Sequence, residues 1–227
     1  MSRAAVLLSG GLDSVVLLAL EQAAGRDVWP LHVRSGLAWE DAEAAAITRV
    51  LAAVPFAGRV RAVTTLRVDM RDVYPTSHWA ISGRVPGYTE PDEAVYLEGR
   101  NITLLAKTAV FCAGHAIDRI VIGPLAGNPF PDARPEFFDA MARALSLGLA
   151  CDLAIAAPLA HLHKDAVIRL GQELAVPFAL TLSCNGPVGQ RHCGRCNKCR
   201  ERREAFREAG VIDPTDYATP APPALLG

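Results

Sequence analysis

Short apolar runs, each followed by a glycine-containing turn and then a helical period, set the rhythm of the chain. Residues 4–8 form a continuous apolar run that predicts a buried strand, followed by a turn at Ser9–Gly11 and a helix over about 13–24. Residues 28–33 predict a second strand and 40–53 a helix, and 59–66 predict a third strand. Residues 120–123 and 153–157 follow as short, fully apolar runs with helices between and after them. Apolar strands alternating with helices predict an α/β fold, a doubly wound parallel sheet covered on both faces. Ligands of such sheets bind beyond the carboxyl ends of the strands.

Two segments break the rhythm. Residues 71–98 carry Pro75, Gly83, Pro86, Gly87 and Pro91 with little periodicity, and 124–135 carry four prolines immediately after a strand end. Long irregular loops in a compact domain are functional or disordered, and their place at strand ends favours function. The Pro/Ala-rich segment after Tyr217 predicts a loosely ordered end.

Lys plus Arg number 23 against 24 Asp plus Glu, a formal net charge of −1, so the whole chain offers no electrostatic reason for a nucleic-acid or membrane partner. No apolar stretch approaches the roughly 20 residues that span a bilayer. No charged leader precedes the first strand, so the expected location is the cytoplasm.

Residues 9–14 read Ser-Gly-Gly-Leu-Asp-Ser at the point where a strand hands over to a helix. Gly10 and Gly11 permit a tight turn in which backbone N–H groups converge on an anion, and the helix adds its unpaired N–H groups and positive dipole end. Ser9 and Ser14 can donate hydroxyl hydrogen bonds to phosphate oxygens. Asp13 would repel a bare phosphate, which implies Mg²⁺ held between carboxylate and phosphates. No Gly-x-x-x-x-Gly-Lys-Ser/Thr occurs, so the loop is not a Walker P-loop. The plain alternative is a capped helix after a glycine turn.

Four of the six cysteines, Cys184, Cys193, Cys196 and Cys199, fall within sixteen positions. Four thiolates match the closed tetrahedral coordination of structural Zn²⁺. His192 is adjacent but is not needed. Residues 190–208 hold seven Arg or Lys and three Glu. That pattern fits charge compensation around a Zn(Cys)₄ centre followed by a solvated helix, better than a nucleic-acid surface.

The loop Ser9, Gly10, Gly11, Leu12, Asp13 and Ser14 resembles the pyrophosphate loop of the N-type ATP pyrophosphatases. Together with the four-cysteine knuckle, the chain is similar from about residue 4 to 209 to the 7-cyano-7-deazaguanine synthase family. Residues 96–101, Tyr-Leu-Glu-Gly-Arg-Asn, stand where that family has Tyr-Val-Pro-x-Arg-Asn. Residues 128–137 stand where it has Ser-Gly-Tyr-Pro-Asp-Cys-Arg-Pro-Glu-Phe.

The resemblance implies an adenine nucleotide alpha hydrolase-like, Rossmann-like ATP pyrophosphatase domain over 1–180, a knuckle and helix over 181–212 and a tail over 213–227. It implies ATP-dependent conversion of a 7-carboxy-7-deazaguanine-like substrate with ammonia to the amide and then the nitrile. Asp13, Ser14, Arg100 and Lys164 are the expected catalytic residues, and the loop residues the expected ATP ligands. Arg100, Asn101, Asn128, Phe130, Asp132 and Arg134 are the expected substrate contacts: Arg100 for an anion, Asp132 for purine-like N–H donors, Phe130 as a stacking face. A homodimer is expected. Glu98, Ala126, Phe130 and Ala133 depart from the family pattern, which leaves open a different carboxylate or amide acceptor. A tRNA-thiolating enzyme is a further alternative and would need a reactive cysteine; Cys112 and Cys151 lie in apolar surroundings outside any motif.

Overall fold

The computed structural model describes residues 2–222, and the strand β1 (Arg3–Leu7) is its axis. Ala4, Ala5 and Val6 are fully buried, as a strand covered on both faces requires. β1 pairs in parallel with β2 (Asp27–Arg34) on one side, where Ala5 lies opposite Trp29. On the other side it pairs with β4 (Arg119–Val121), where Ala5 lies opposite Ile120. β3 (Thr64–Arg67) extends the sheet beyond β2, and β5 (Ala154–Ala156) beyond β4. The order is β3-β2-β1-β4-β5, and every pairing is parallel. The chain therefore winds outward in both directions from β1, and the crevice between β1 and β4 is the topological switch point.

Side chains of β1 alternate between two cores. Ala4 and Val6 enter a core built from Leu17 of α1 (Leu12–Ala23), Ile47 of α2 (Glu40–Leu51), Ile168 of α6 (Lys164–Glu173) and Phe206 of α7 (Asn197–Ala209). Ala5 enters the opposite core with Leu105 of α4 (Arg100–Gly114) and Phe138 of α5 (Pro135–Leu149). Phe206 is 1% exposed and meets Phe178 edge-on at 5.4 Å. Truncating such a side chain to Ala costs about 3–5 kcal/mol, so α7 is anchored in the main core although the sequence around it is highly charged.

The third strand is shorter than the run at 59–66 predicts. The buried Phe56 accepts backbone hydrogen bonds from Arg59 and Val60 (2.9 and 3.3 Å), so those residues close a turn after α2. Pairing begins only at Thr64, opposite Leu31. As an edge strand β3 is half-buried on one face and exposed on the other, and it lacks the continuous apolar signature of the inner strands.

The irregular segment 71–98 holds only the short α3 (Trp79–Ser82) and a 3-10 turn at Asp92–Val95. It folds back on the C-terminal helix: Arg200 Nη1 donates to the Tyr88 carbonyl (3.0 Å) and Asn197 Nδ2 to the Pro91 carbonyl (3.2 Å). The segment after Tyr217 is held at its start. Ala218 N donates to the His192 carbonyl (2.8 Å), and Arg203 Nη2 donates to the Thr219 carbonyl (3.1 Å). Residues 223–227 lie outside the described residues. Among the described residues no helix is long and apolar enough to cross a membrane.

Candidate active site and metal centre

Residues 9–14 leave the carboxyl end of β1 and run into α1. Gly10 adopts φ +77°, and a Cβ there would stand 3.2 Å from the Glu43 carbonyl oxygen, so the turn needs glycine. Ser14 Oγ donates to the Gly11 carbonyl (3.0 Å) and lies 3.2 Å from Ser9 Oγ. Ser9 N donates back to Ser14 Oγ (3.3 Å). These bonds curl the loop into a cup at the N-terminus of α1, where the first N–H groups lack intrahelical partners and the dipole favours an anion.

Asp13 stands at the rim of the cup. Its Oδ1 is buried without a hydrogen-bond partner, and its Oδ2 is 3.4 Å from Lys164 Nζ. Burial raises the carboxyl above its usual pKa, against the opposing pull of Lys164. Lys164, the first residue of α6, also donates to Glu201 Oε1 at 2.5 Å, and Lys198 Nζ donates to Glu201 Oε2 at 2.8 Å. Burial works against charge on Lys164, but Asp13 and Glu201 outweigh it and hold the ammonium above its ordinary 10.5. Burial likewise works against Glu201, yet Lys164 and Lys198 keep its carboxyl at about 2. Asp13, Lys164, Glu201 and Lys198 thus form a chain of alternating charge from the phosphate loop to α7.

Two cavities meet at Asp13. One, of about 260 Å³, opens at the carboxyl ends of β1, β2 and β4 and is lined by the loop, Tyr96, Arg100, Asn101 and Asp132. The other, of about 370 Å³, lies between the 124–130 loop and helices α6 and α7, with Lys164, Lys198 and Glu201 in its wall. Asp13, Gly123, Pro124, Asn128 and Phe130 line both.

Most of the residues singled out from the sequence converge here. Asp132 is 6% exposed, and its Oδ2 accepts from the Asn101 backbone N–H at 3.0 Å. It thereby caps α4, whose own N-cap residue is Gly99 and offers no side chain. Asn101 Nδ2 returns a hydrogen bond to the Asp132 carbonyl (2.9 Å), so the two loops are latched together. Phe130 stacks on Tyr96 at 5.0 Å, both rings line the first cavity, and Asn128 Oδ1 accepts from Phe130 N (2.9 Å). Arg134 is different: it is exposed at the start of α5 and lines neither cavity.

Sequence reasoning missed several contributors. His32 (3% exposed) and Glu43 line the first cavity with His32 Nε2 3.4 Å from Glu43 Oε2. A lone histidine in an apolar strand carries no motif. Glu201 sits in a charge-alternating helix that reads as solvated. Cys112, by contrast, is buried on α4, where burial pushes its thiol up to about 12; such a thiol is not a nucleophile.

The four clustered cysteines are buried, with all Sγ atoms within 4.8 Å of one another. Sγ separations are 3.9 Å for Cys184–Cys196, 3.8 Å for Cys193–Cys199 and 3.5 Å for Cys196–Cys199. A tetrahedral ion with metal–sulfur bonds of about 2.3 Å requires edges of about 3.8 Å, so the cage fits a single metal ion. Backbone N–H groups of Cys193, Gly194 and Arg195 donate to Sγ atoms at 3.3–3.4 Å, stabilising thiolate charge. His192 is not a ligand: its Nε2 accepts from Ser183 N (3.0 Å), and burial, aided by Arg202, keeps the ring neutral at about 3. A Cβ on Gly194 would stand 2.0 Å from the Thr219 carbonyl oxygen, which packs the segment beyond α7 against the cage.

A parallel sheet whose switch point carries a Ser-Gly-Gly-Leu-Asp-Ser cup defines a nucleotide-binding enzyme of the pyrophosphate-loop class. The chain belongs to the family described as queuosine biosynthesis protein QueC, whose model matches residues 3–210. Similar proteins include 7-cyano-7-deazaguanine synthases of Anaeromyxobacter dehalogenans (35% identical, covering 95% of this chain and 96% of that protein) and of Methanopyrus kandleri (36% identical, covering 96% and 99%). Among solved structures, a predicted subunit of tRNA methyltransferase from Methanocaldococcus jannaschii shares the fold. Its TM-score is 0.50 at 16% identity, over 76% of this chain and 75% of that one.

Proposed function

We propose that this chain is a cytoplasmic, homodimeric ATP-dependent ligase that converts a 7-carboxy-7-deazaguanine-like acid with ammonia into 7-cyano-7-deazaguanine. The observation that carries the reading is the position of Asp13, which lines both the cavity bounded by Arg100, Asn101 and Asp132 and the one walled by Lys164, 3.4 Å from it. Phosphates and acceptor would there lie on opposite sides of one carboxylate–ammonium pair.

ATP phosphates rest in the cup on the N–H groups of α1 and the hydroxyls of Ser9 and Ser14. The unpartnered Oδ1 of Asp13 suits Mg²⁺, which neutralises phosphate charge when bound. Lys164, kept cationic, faces the pyrophosphate leaving group. Arg100 orients the acceptor carboxylate as it attacks the α phosphorus. Asp132 keeps one oxygen for purine-like N–H donors, and Phe130 offers a ring face. Ammonia displaces AMP from the acyl adenylate to give the amide. A second ATP adenylates the amide oxygen, and loss of AMP leaves the nitrile. The four cysteines would hold Zn²⁺ through four thiolates, and such a site would serve the fold rather than the chemistry.

A second reading, an amide-forming relative with another acceptor, is favoured by the same loop: Phe130 and Ala133 replace the Tyr and Cys of the family pattern. One incubation separates the two. The protein is mixed with MgATP, 7-carboxy-7-deazaguanine and ammonium, and AMP, pyrophosphate and nucleobase mass are followed. Nitrile with two AMP per product supports the first reading; amide alone supports the second. No substrate-dependent AMP would overturn this acceptor.

A further inference from the structure

The segment that carries the first metal ligand also runs along the phosphate cup. Leu182 N donates to the Gly10 carbonyl at 2.8 Å. Ser183 Oγ accepts from Leu12 N at 3.2 Å, and the next residue, Cys184, belongs to the cage. Gly11 occupies the N-cap position of α1 and brings no side chain, so Ser183 supplies from another part of the chain the cap that Gly11 lacks. Its hydroxyl is itself gripped: Arg202 Nη1 donates to Ser183 Oγ at 3.0 Å. Arg202 is 1% exposed, three residues beyond Cys199, and its other donors reach Thr215 Oγ1 (2.6 Å), the Phe178 carbonyl (2.9 Å) and Thr181 Oγ1 (3.0 Å).

We infer that Ser183, held by Arg202, is a positioning residue that fixes the phosphate cup and so sets its affinity for ATP. The inference rests on the ATP-binding reading of the cup. A cap from outside the loop has a specific consequence. It uses the Leu12 N–H, the first orphan donor of α1, and leaves the Asp13 and Ser14 N–H groups for phosphate. It also sets the angle at which α1 meets the ligand, because Gly10 and Gly11 have little stiffness of their own. The hydroxyl can fill this place because it accepts from Leu12 and Arg202 and keeps its proton for a phosphate oxygen or water. Cys184 directly follows Ser183 and Cys199 stands three residues before Arg202, so both partners lie on the segments that carry the cage.

The test is equilibrium binding of MgATP to the metal-loaded protein by calorimetry, with melting temperature and bound metal measured on the same samples. Ser183→Ala is expected to weaken MgATP binding about tenfold, the size of a lost helix cap, with metal content at the wild-type value. Ser183→Thr keeps the hydroxyl and is expected to restore binding to within about threefold. Arg202→Lys, a milder change than truncation, is expected to weaken ATP without displacing the metal. If Ser183→Ala binds MgATP as the wild type does, the inference is overturned. So is it if the alanine and threonine variants are equally weak, because a lost hydroxyl is then not the cause. A wild-type protein that binds no MgATP would instead overturn the ATP-binding reading, and this inference with it.

Discussion

Lys164 Nζ lies between two carboxylates, 3.4 Å from Asp13 on the phosphate loop and 2.5 Å from Glu201 on the helix that follows the metal cage. Its side chain is 17% exposed, so the charge faces little water and is set by those partners. On the proposed function, Lys164→Met removes the cation beside the leaving phosphates and leaves Asp13 without its ion-pair partner, while Glu201 keeps Lys198. The expected loss in kcat is about 10²–10³-fold, the range for one preorganised electrostatic group, measured as AMP release at saturating MgATP.

The same lysine predicts an alkaline limit to stability. Its pKa in the folded chain is raised above 10.5, so the stabilisation it gives is full below 10.5 and is lost as pH rises through the higher folded value. Melting curves of wild type and Lys164→Met between pH 8 and 12 are expected to lie a constant distance apart up to about pH 10.5 and to converge above it. A separation that grows with pH would contradict the assigned pairing.

Asp132 separates capping from recognition. Asparagine can still accept the Asn101 N–H, so Asp132→Asn is expected to melt within about 2 °C of wild type, whereas Asp132→Ala loses about 1 kcal/mol of capping, roughly 2–4 °C. If the remaining carboxylate oxygen binds the purine-like edge, Asp132→Asn raises KM for that substrate at least about tenfold, with KM for ATP unchanged. Steady-state kinetics with each substrate varied in turn makes the check.

Much of this arrangement was legible in the sequence, and its gaps have physical causes. The inner strands announce themselves because burial on both faces demands unbroken apolar runs, as at Ala4, Ala5 and Val6. The phosphate loop and the cage are legible because each draws its ligands from a short stretch of chain. Edge strand β3 was misplaced because one-sided burial gives no such run. Glu201 and Ser183 were invisible for another reason. Their roles arise from contacts across 37 and 171 residues, to Lys164 and Leu12, and nothing local marks a carboxylate or hydroxyl that will meet a distant loop. Asp132 and Asn101 were picked out by motif, but their mutual latch, 31 residues apart, appears only in the fold.

Removing the metal should be costly. Cys193→Ser removes one of the four ligands and leaves three buried sulfurs without the proposed metal. The expected loss is at least about 4 kcal/mol, roughly 8–16 °C in melting temperature for a chain of this size. Elemental analysis reads the metal content, zinc on the proposed assignment. Retention of one zinc per chain with an unchanged melt would contradict the assignment of Cys193 as a ligand.

Cys112 gives a control. With its thiol pushed up to about 12 inside α4, alkylating reagents at neutral pH are expected to leave activity intact, and Cys112→Ala to retain turnover within about twofold. Loss of turnover without loss of fold would point to sulfur chemistry instead.

The charge chain from Asp13 through Lys164 to Glu201 is also an order of events during synthesis. The loop at residues 9–14 leaves the ribosome well before the lysine, and the carboxylate that completes the chain is made only at residue 201. Until then a nascent polypeptide carries a cup without its counterweight. On the proposed reading of the cup as an ATP site, the full charge chain is in place only once residue 201 has been made.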